Sequence, residues 1–255
     1  MEFAVRVVTC ADTGPGWSPP RPIDVHQIVF VRSGGFRVHS DGERLTADPS
    51  LGYLLIPGRD HRVSHPMGGD VCTTIAVGER LWHEVTGGRP VRAGVPVDGR
   101  LELAHRLLLC GADPEPLVLR ALEIVAAVPA VQGRPELAAL AREAVLSGDP
   151  EAADQVRLAR ALGVSPGHLS RTFRFHCGMT FSRYRNRVRV SRALAGIEEG
   201  ETDLARLAAE LGFADQAHMA RTVRRETGCP PGRVRALFAA AGMGGAARAS
   251  VPFGF

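Results

Sequence analysis

The chain has 255 residues, enough for one or two domains with a buried core, and its hydrophobic share of 45% is ordinary for a globular fold. No apolar run of about 18 residues occurs, which excludes a membrane-spanning helix. The net charge of +4 is unevenly placed: residues 1–133 hold 13 Arg against 15 Asp and Glu, residues 134–238 hold 17 Arg against 12, and there is no lysine, so a polyanion partner is expected for the C-terminal half alone.

At the start, Met1-Glu2-Phe3-Ala4-Val5-Arg6 shows no basic region leading into an apolar one, so no secretory signal is read. The five cysteines, Cys10, Cys72, Cys110, Cys177 and Cys229, are odd in number and lack C-x-x-C spacing. Neither a disulfide framework nor a zinc ribbon is expected, and a cytoplasmic location follows. Residues 1–95 then alternate β-rich runs with turn formers. The runs are Val5–Thr9, Gln27–Arg32, Phe36–His39, Tyr53–Ile56 and Val71–Val77, and the turns fall at Ser33-Gly34-Gly35, Ser40-Asp41-Gly42 and Pro57-Gly58. Short strands at such spacing predict an antiparallel sandwich or barrel.

Within this region, Gly52-Tyr53-Leu54-Leu55-Ile56-Pro57-Gly58-Arg59-Asp60-His61 resembles the second motif of cupin barrels. The resemblance spans roughly His26 to Val77 and implies a barrel that holds a small ligand or forms a dimer. In enzymatic cupins the second-motif His joins a His-x-His pair and a Glu to hold a metal. Here His26 stands where the pair begins, Ile28 follows two positions later, and no Glu lies at matching distance, so no metal or other cofactor is expected. His26 and His61 are either strand-end residues or the pair that points into the barrel mouth and bonds a small-molecule effector. Cys72 reads as a small core residue or as a redox sensor.

From Gly99 the period changes. Leu101, Leu103, Ala104, Leu107 and Leu108, then Leu117, Leu119, Ala121, Leu122, Ile124 and Val125, predict two helices, with Arg100, Glu102, His105 and Arg106 at their polar positions. Residues 96–133 are therefore read as a helical connector that ends in a linker at Val128-Pro129-Ala130-Val131-Gln132-Gly133.

Residues 134–240 repeat themselves. Pro135 opens a helix through Val145. Leu158-Ala159-Arg160-Ala161-Leu162-Gly163-Val164 then recurs as Leu207-Ala208-Ala209-Glu210-Leu211-Gly212-Phe213, and Leu169-Ser170-Arg171-Thr172 as Met219-Ala220-Arg221-Thr222. Each copy reads as a helix, a glycine turn and a second helix, which is a helix-turn-helix. The second helices are predicted at Pro166–His176 and about Asp215–Glu226. Their exposed positions are Gly167, His168, Ser170, Arg171 and Arg174 in the first copy, and Gln216, Ala217, His218, Arg221 and Arg224 in the second. Arg and Gln are suited to guanine and adenine edges, and arginines at the rim to phosphate. For Arg171 and Arg221 an inward ion pair is the competing expectation. Between the copies, Tyr184, Val188, Ala193, Leu194 and Ile197 stripe a helix whose arginines (183, 185, 187, 189 and 192) are expected on phosphates or on Glu198, Glu199 and Glu201.

These residues, with Gly178-Met179-Thr180, Tyr184 and Arg189 in the first unit and Gly228-Cys229-Pro230-Pro231 and Arg235 in the second, resemble the AraC/XylS type of DNA-binding domain. In that family two helix-turn-helix units are joined by one helix, often behind a cupin-like effector domain. Two departures stand out. Phe181 occupies the place of the family's proline after Gly-x-Thr, and Met219, Val223 and Val234 replace aromatics in the second unit.

The fold class expected is a two-domain α+β chain, an antiparallel cupin-like β-barrel followed by an all-α double helix-turn-helix, with residues 241–255 as a flexible tail. The function implied is a DNA-binding transcription regulator, not an enzyme. Its expected partners are double-stranded DNA, a small-molecule effector, a second copy of the chain and, for an activator, RNA polymerase, with no membrane. A cupin metalloenzyme fused to a DNA-binding domain is the alternative.

Overall fold

The computed structural model describes residues 3–11, 13–40, 42–91, 93–127 and 136–244. Among the described residues, eight strands form two antiparallel sheets. The larger sheet orders β1 (Phe3–Cys10), β7 (Asp70–Val77), β2 (His26–Ser33), β5 (Leu51–Leu55) and β8 (Gly94–Pro96); the smaller orders β4 (Glu43–Ala47), β3 (Phe36–Ser40) and β6 (His61–Ser64). Antiparallel pairing was expected. The ladders stay separate, so the arrangement is an open two-sheet sandwich rather than a closed cylinder.

Both faces of the larger sheet are covered. Along β2, Val29 and Val31 join Phe36, Val38, Tyr53 and Cys72 in a core between the sheets, while Ile28 and Phe30 join Leu54, Ile75 and Val77 in a core against helices. A strand buried on both faces reads as an unbroken apolar run, which explains why β2 is conspicuous in the sequence. Strands β4 and β6 are short and partly polar and β8 has only three residues, and no strong periodicity marks them. Helix α1 (Glu79–Thr86) was not anticipated although its apolar residues share one face, with Trp82 buried in the helix-side core and Leu81 and Val85 packed against it.

Helices α2 (Gly99–Leu109) and α3 (Glu115–Ala127) take the place of the connector. Asp98 caps α2 by accepting from Leu101 N at 2.8 Å. The expected linker at 128–133 and Pro135 lie outside the described residues. Beyond them come α4 (Glu136–Ser147), a single 3-10 turn at Pro150–Ala153, α5 (Gln155–Ala161), α6 (Pro166–Cys177), α7 (Phe181–Glu198), α8 (Leu204–Glu210), α9 (Gln216–Thr227) and α10 (Pro231–Gly244). The helix α10 runs beyond residue 240, and residues 245–255 lie outside the described part.

Helix α2 departs most from expectation. Its Glu102, His105 and Arg106, expected at polar positions, are at most 2% exposed. Its apolar residues divide between two cores: Leu101 packs with the larger sheet, and Leu103 packs with Val190, Leu194, Met219, Val223 and Phe238 of the C-terminal helices. Leu103 and the half-buried Leu107 thus fill space around Met219, Val223 and Val234.

A buried charge network follows from this placement. Glu102 receives Arg106 Nε at 2.9 Å, Ser191 Oγ at 2.7 Å and the Arg187 guanidinium at 2.5 Å. Burial alone would raise the Glu102 pKa, but Arg187 and Arg106 outweigh it and hold the carboxyl below its ordinary value. Arg187 also donates to the carbonyls of Val97 and Asp98. Arg106 donates to Glu198, which is bonded by Arg32 of β2 as well. A second cluster forms at Asp48, where Arg142 of α4 and the Tyr184 hydroxyl of α7, the latter at 2.7 Å, both donate to Oδ2. Arg37 of β3 grips Glu143 of α4 with two bonds of 2.7 and 2.6 Å.

Candidate nucleic-acid interface

The two helix-turn-helix units are built by the same local chemistry. Asp154 and Asp203 cap α5 and α8, each accepting from two backbone N–H groups. Both helices have seven residues, and the turns after them pass through Gly163 and Gly212 at φ of 69° and 71°, a left-handed conformation that suits glycine. Ser165 then caps α6 through His168 N, and Asp215 caps α9 through His218 N, at 3.2 and 2.6 Å. Both second helices have twelve residues and end on left-handed glycines, Gly178 and Gly228.

Each second helix buries one side. In α6, Leu169 and Phe173 are fully buried, and Phe173 meets Phe181 edge-on at 5.4 Å, so Phe181 becomes part of the core. In α9, Met219, Thr222 and Val223 point inward. The outward sides carry Gly167, His168, Arg171 and Arg174 on α6, and Gln216, Ala217, Arg221 and Arg224 on α9, all exposed in the full chain. Ser170 and His218 are half-buried; the His218 ring packs edge-on against Phe213. Among the described residues, Arg171, Arg174, Arg221 and Arg224 make no ion pair. The inward pairing considered for Arg171 and Arg221 does not occur, and their charge faces solvent.

The helix between the units behaves differently from expectation. Arg187 turns inward to Glu102 and is 2% exposed, so it cannot reach phosphate. Glu198 is taken by Arg32 and Arg106 from outside the helix rather than by its own arginines. Arg192 donates to the Leu146 carbonyl at 2.9 Å, and the Arg189 guanidinium lies 5.9 Å from the centre of the Phe213 ring. Of the five arginines, Arg183 and Arg192 are exposed, and Arg185 and Arg189 are half-buried.

His26 and His61 do not converge. His26 shares a strand face with Ile28 and Phe30, stacks on Trp82 at 4.3 Å, and has its pKa lowered by burial, with Glu79 opposing. His61 pairs in register with Ser40, on the side of the smaller sheet that holds Phe36 and Val38, and receives the Ile56 N–H at 3.1 Å. The larger sheet lies between the two positions.

Comparison with known proteins bears on the C-terminal half. Residues 158–236 match the helix-turn-helix domain family. Over 82 residues the chain is 32% identical to the HTH-type transcriptional regulator GlxA of Rhizobium meliloti (strain 1021), and over 81 residues it is 31% identical to the uncharacterized HTH-type transcriptional regulator YpdC of Escherichia coli (strain K12). Each match covers 32% of this chain but only 25% and 28% of the relatives, so the chain spans about a quarter of the length of the curated relatives it matches. The crystal structure of ToxT from Vibrio cholerae O395 covers 93% of this chain and 98% of its own at 12% identity, with a TM-score of 0.39, too slight a likeness to bear on function.

Proposed function

We propose, from the premise that residues 158–236 are a helix-turn-helix domain of the AraC type, that the whole chain is a sequence-specific DNA-binding transcription regulator. The observation that supports this most is the pairing of two matched scaffolds with unpaired outward arginines, Arg171 and Arg174 on α6 and Arg221 and Arg224 on α9. An arginine without a carboxylate partner keeps its donors for guanine O6 and N7 or for phosphate. The joining helix α7 has 18 residues, about 27 Å at 1.5 Å each, a span suited to recognition helices that enter successive major grooves about 34 Å apart.

Gly167, His168, Ser170, Arg171 and Arg174 form one reading surface in this proposal, and Gln216, Ala217, His218, Arg221 and Arg224 the other. The surfaces differ, so the chain reads two unlike half-sites in a fixed direction. The N-terminal sheets take a small-molecule effector and set the angle between the units, because α4 is held by Arg37 and Asp48 and α7 by Glu102. A cytoplasmic homodimer that contacts RNA polymerase when it activates completes the reading.

The test is binding of the full chain to a DNA fragment recovered by genome-wide mapping of its bound sites, measured by fluorescence anisotropy over a range of salt. Arg171→Ala with Arg221→Ala is expected to weaken binding by about 1–3 kcal/mol for each base edge no longer read, and to flatten the salt slope by about 1 for each phosphate no longer neutralised. A double variant with unchanged affinity and unchanged slope would remove these helices from the interface.

A further inference from the structure

The space between the two sheets holds a group of side chains that DNA reading does not use. Cys10 ends β1 and pairs in register with Asp70, the first residue of β7, so their side chains share a face. Cys72, two residues further on, shares it too and belongs to the core between the sheets. His65 comes from the opposite side, directly after β6, and its Nε2 lies 3.0 Å from Asp70 Oδ1. The Cys10 sulfur, a His65 ring nitrogen and an Asp70 oxygen all lie within 4.8 Å of one another. His65 is 5% exposed and Asp70 also 5%.

We infer that Cys10, His65 and Asp70 form a binding site for one thiophilic divalent metal ion of the zinc class. Three ligands of sulfur, nitrogen and oxygen type from three chain segments suit the tetrahedral preference of Zn²⁺ and leave a fourth position for water or a small ligand. Calcium and magnesium are disfavoured by the sulfur and nitrogen ligands. Cys72 supports the site from behind: its thiol donates to Asp70 Oδ2 at 2.8 Å, which leaves Oδ1 directed at the ion. On binding, the Cys10 thiol releases its proton to solvent as the sulfur–metal bond forms.

These residues differ from the His26 and His61 of the cupin-like motif, and the site is tied to the helices. The segment from His65 to Asp70 includes Met67, whose Cε lies with Leu146 Cδ1 of α4 and the Ala47 carbonyl around the space above Gly35, at 3.4, 3.3 and 3.2 Å from where a Cβ would stand. His65 also lies 5.2 Å from the Phe36 ring. An ion that draws this segment inward therefore acts where α4 meets the smaller sheet.

The metal site stands on the N-terminal sheets alone and is tested without DNA. Full chain, reduced and stripped with a chelator, is titrated with Co²⁺ and then with Zn²⁺ in competition with a chromogenic chelator. One ion per chain is expected, with a sulfur-to-cobalt charge-transfer band that Zn²⁺ abolishes. Cys10→Ser should remove the band and lower Zn²⁺ affinity at least tenfold, Asp70→Asn should lower affinity by a similar factor, and Cys110→Ser should change neither. Far-UV circular dichroism checks that each variant is folded. Absence of the band from the wild-type chain overturns the site, whatever the variants do. So does a band that survives Cys10→Ser, which would mean an adventitious ion on another thiol.

Discussion

At Glu102 a single carboxylate faces two guanidinium groups and a hydroxyl with almost no water present. Removing its charge leaves Arg106 and Arg187 buried with less negative charge than they need, which costs far more than a surface pair would. Glu102→Gln is expected to destabilise the chain by about 3–5 kcal/mol, read from chemical denaturation. An unchanged midpoint would mean that these arginines find water or another acceptor. Three residues along the helix, His105 is buried with its Nε2 2.6 Å from Thr73 Oγ1. Burial first, then Arg106, pushes its pKa down to about 3. The unfolded chain binds that proton near pH 6.5, so between about 6.5 and 3 the unfolded state holds one proton more and stability falls as pH falls. At about pH 5 the loss is on the order of 2 kcal/mol. His26, also lowered by burial, adds in the same direction, whereas Glu102, held below its ordinary pKa when folded, begins to lose its contribution as pH falls through the usual carboxylate range. Measured by urea unfolding at about pH 5 and pH 7.5, His105→Gln should shrink the difference between the two stabilities. An equal difference in both proteins would show that His105 is not the group responsible.

Among the elements, α2 is placed by an approach that only glycine permits. A Cβ on Gly99 would stand 2.7 Å from the carbonyl oxygen of Glu226 near the end of α9, and 2.8 Å from its carbon. Both are backbone atoms that cannot swing aside. Alanine normally favours a helix over glycine by up to about 1 kcal/mol. Gly99→Ala should nevertheless destabilise by about 1–3 kcal/mol as α2 and α9 are forced apart. A stabilised variant would show that the two helices do not touch in solution. The double helix-turn-helix was legible in the sequence because its caps, glycine turns and 3–4 spacing are local and appear twice. The buried charges were not. An arginine looks the same whether it faces phosphate or Glu102, so Arg187 read as one of five similar residues. One signal was available: α2 places apolar side chains on both sides of the stripe formed by Glu102, His105 and Arg106, and leaves Arg100 as its exposed charge. A polar stripe flanked by apolar residues suits a helix packed between two cores. The Cys10, His65 and Asp70 cluster was hidden for another reason, since its members are 55 and 5 residues apart in sequence and meet only through strand register.

For the molecule as a whole, two clusters of buried charge tie the N-terminal part to the helical half at separate places, Asp48 to α4 and the start of α7, and Glu102 to the middle of α7. The second unit is held by Leu103 and Gly99 of α2. Interfaces that share a core unfold together. Heating the wild-type chain should give one cooperative transition by both circular dichroism and intrinsic fluorescence, whereas Asp48→Asn combined with Glu102→Gln should separate it into two. Two transitions already present in the wild type would show that the halves are coupled weakly.

The double membership of α2 bears on how such a protein can be recombined. The stretch that matches other regulators begins at residue 158, yet a side chain from residue 103 completes its second core. A graft of residues 136–244 onto a foreign sensor would carry a hole the size of a leucine and an Arg187 stripped of its carboxylate. A graft that starts at Asp98, the cap of α2, would bring Leu103 and Glu102 with it. The boundary at which this chain can be cut and rejoined therefore lies upstream of the sequence that looks like the domain.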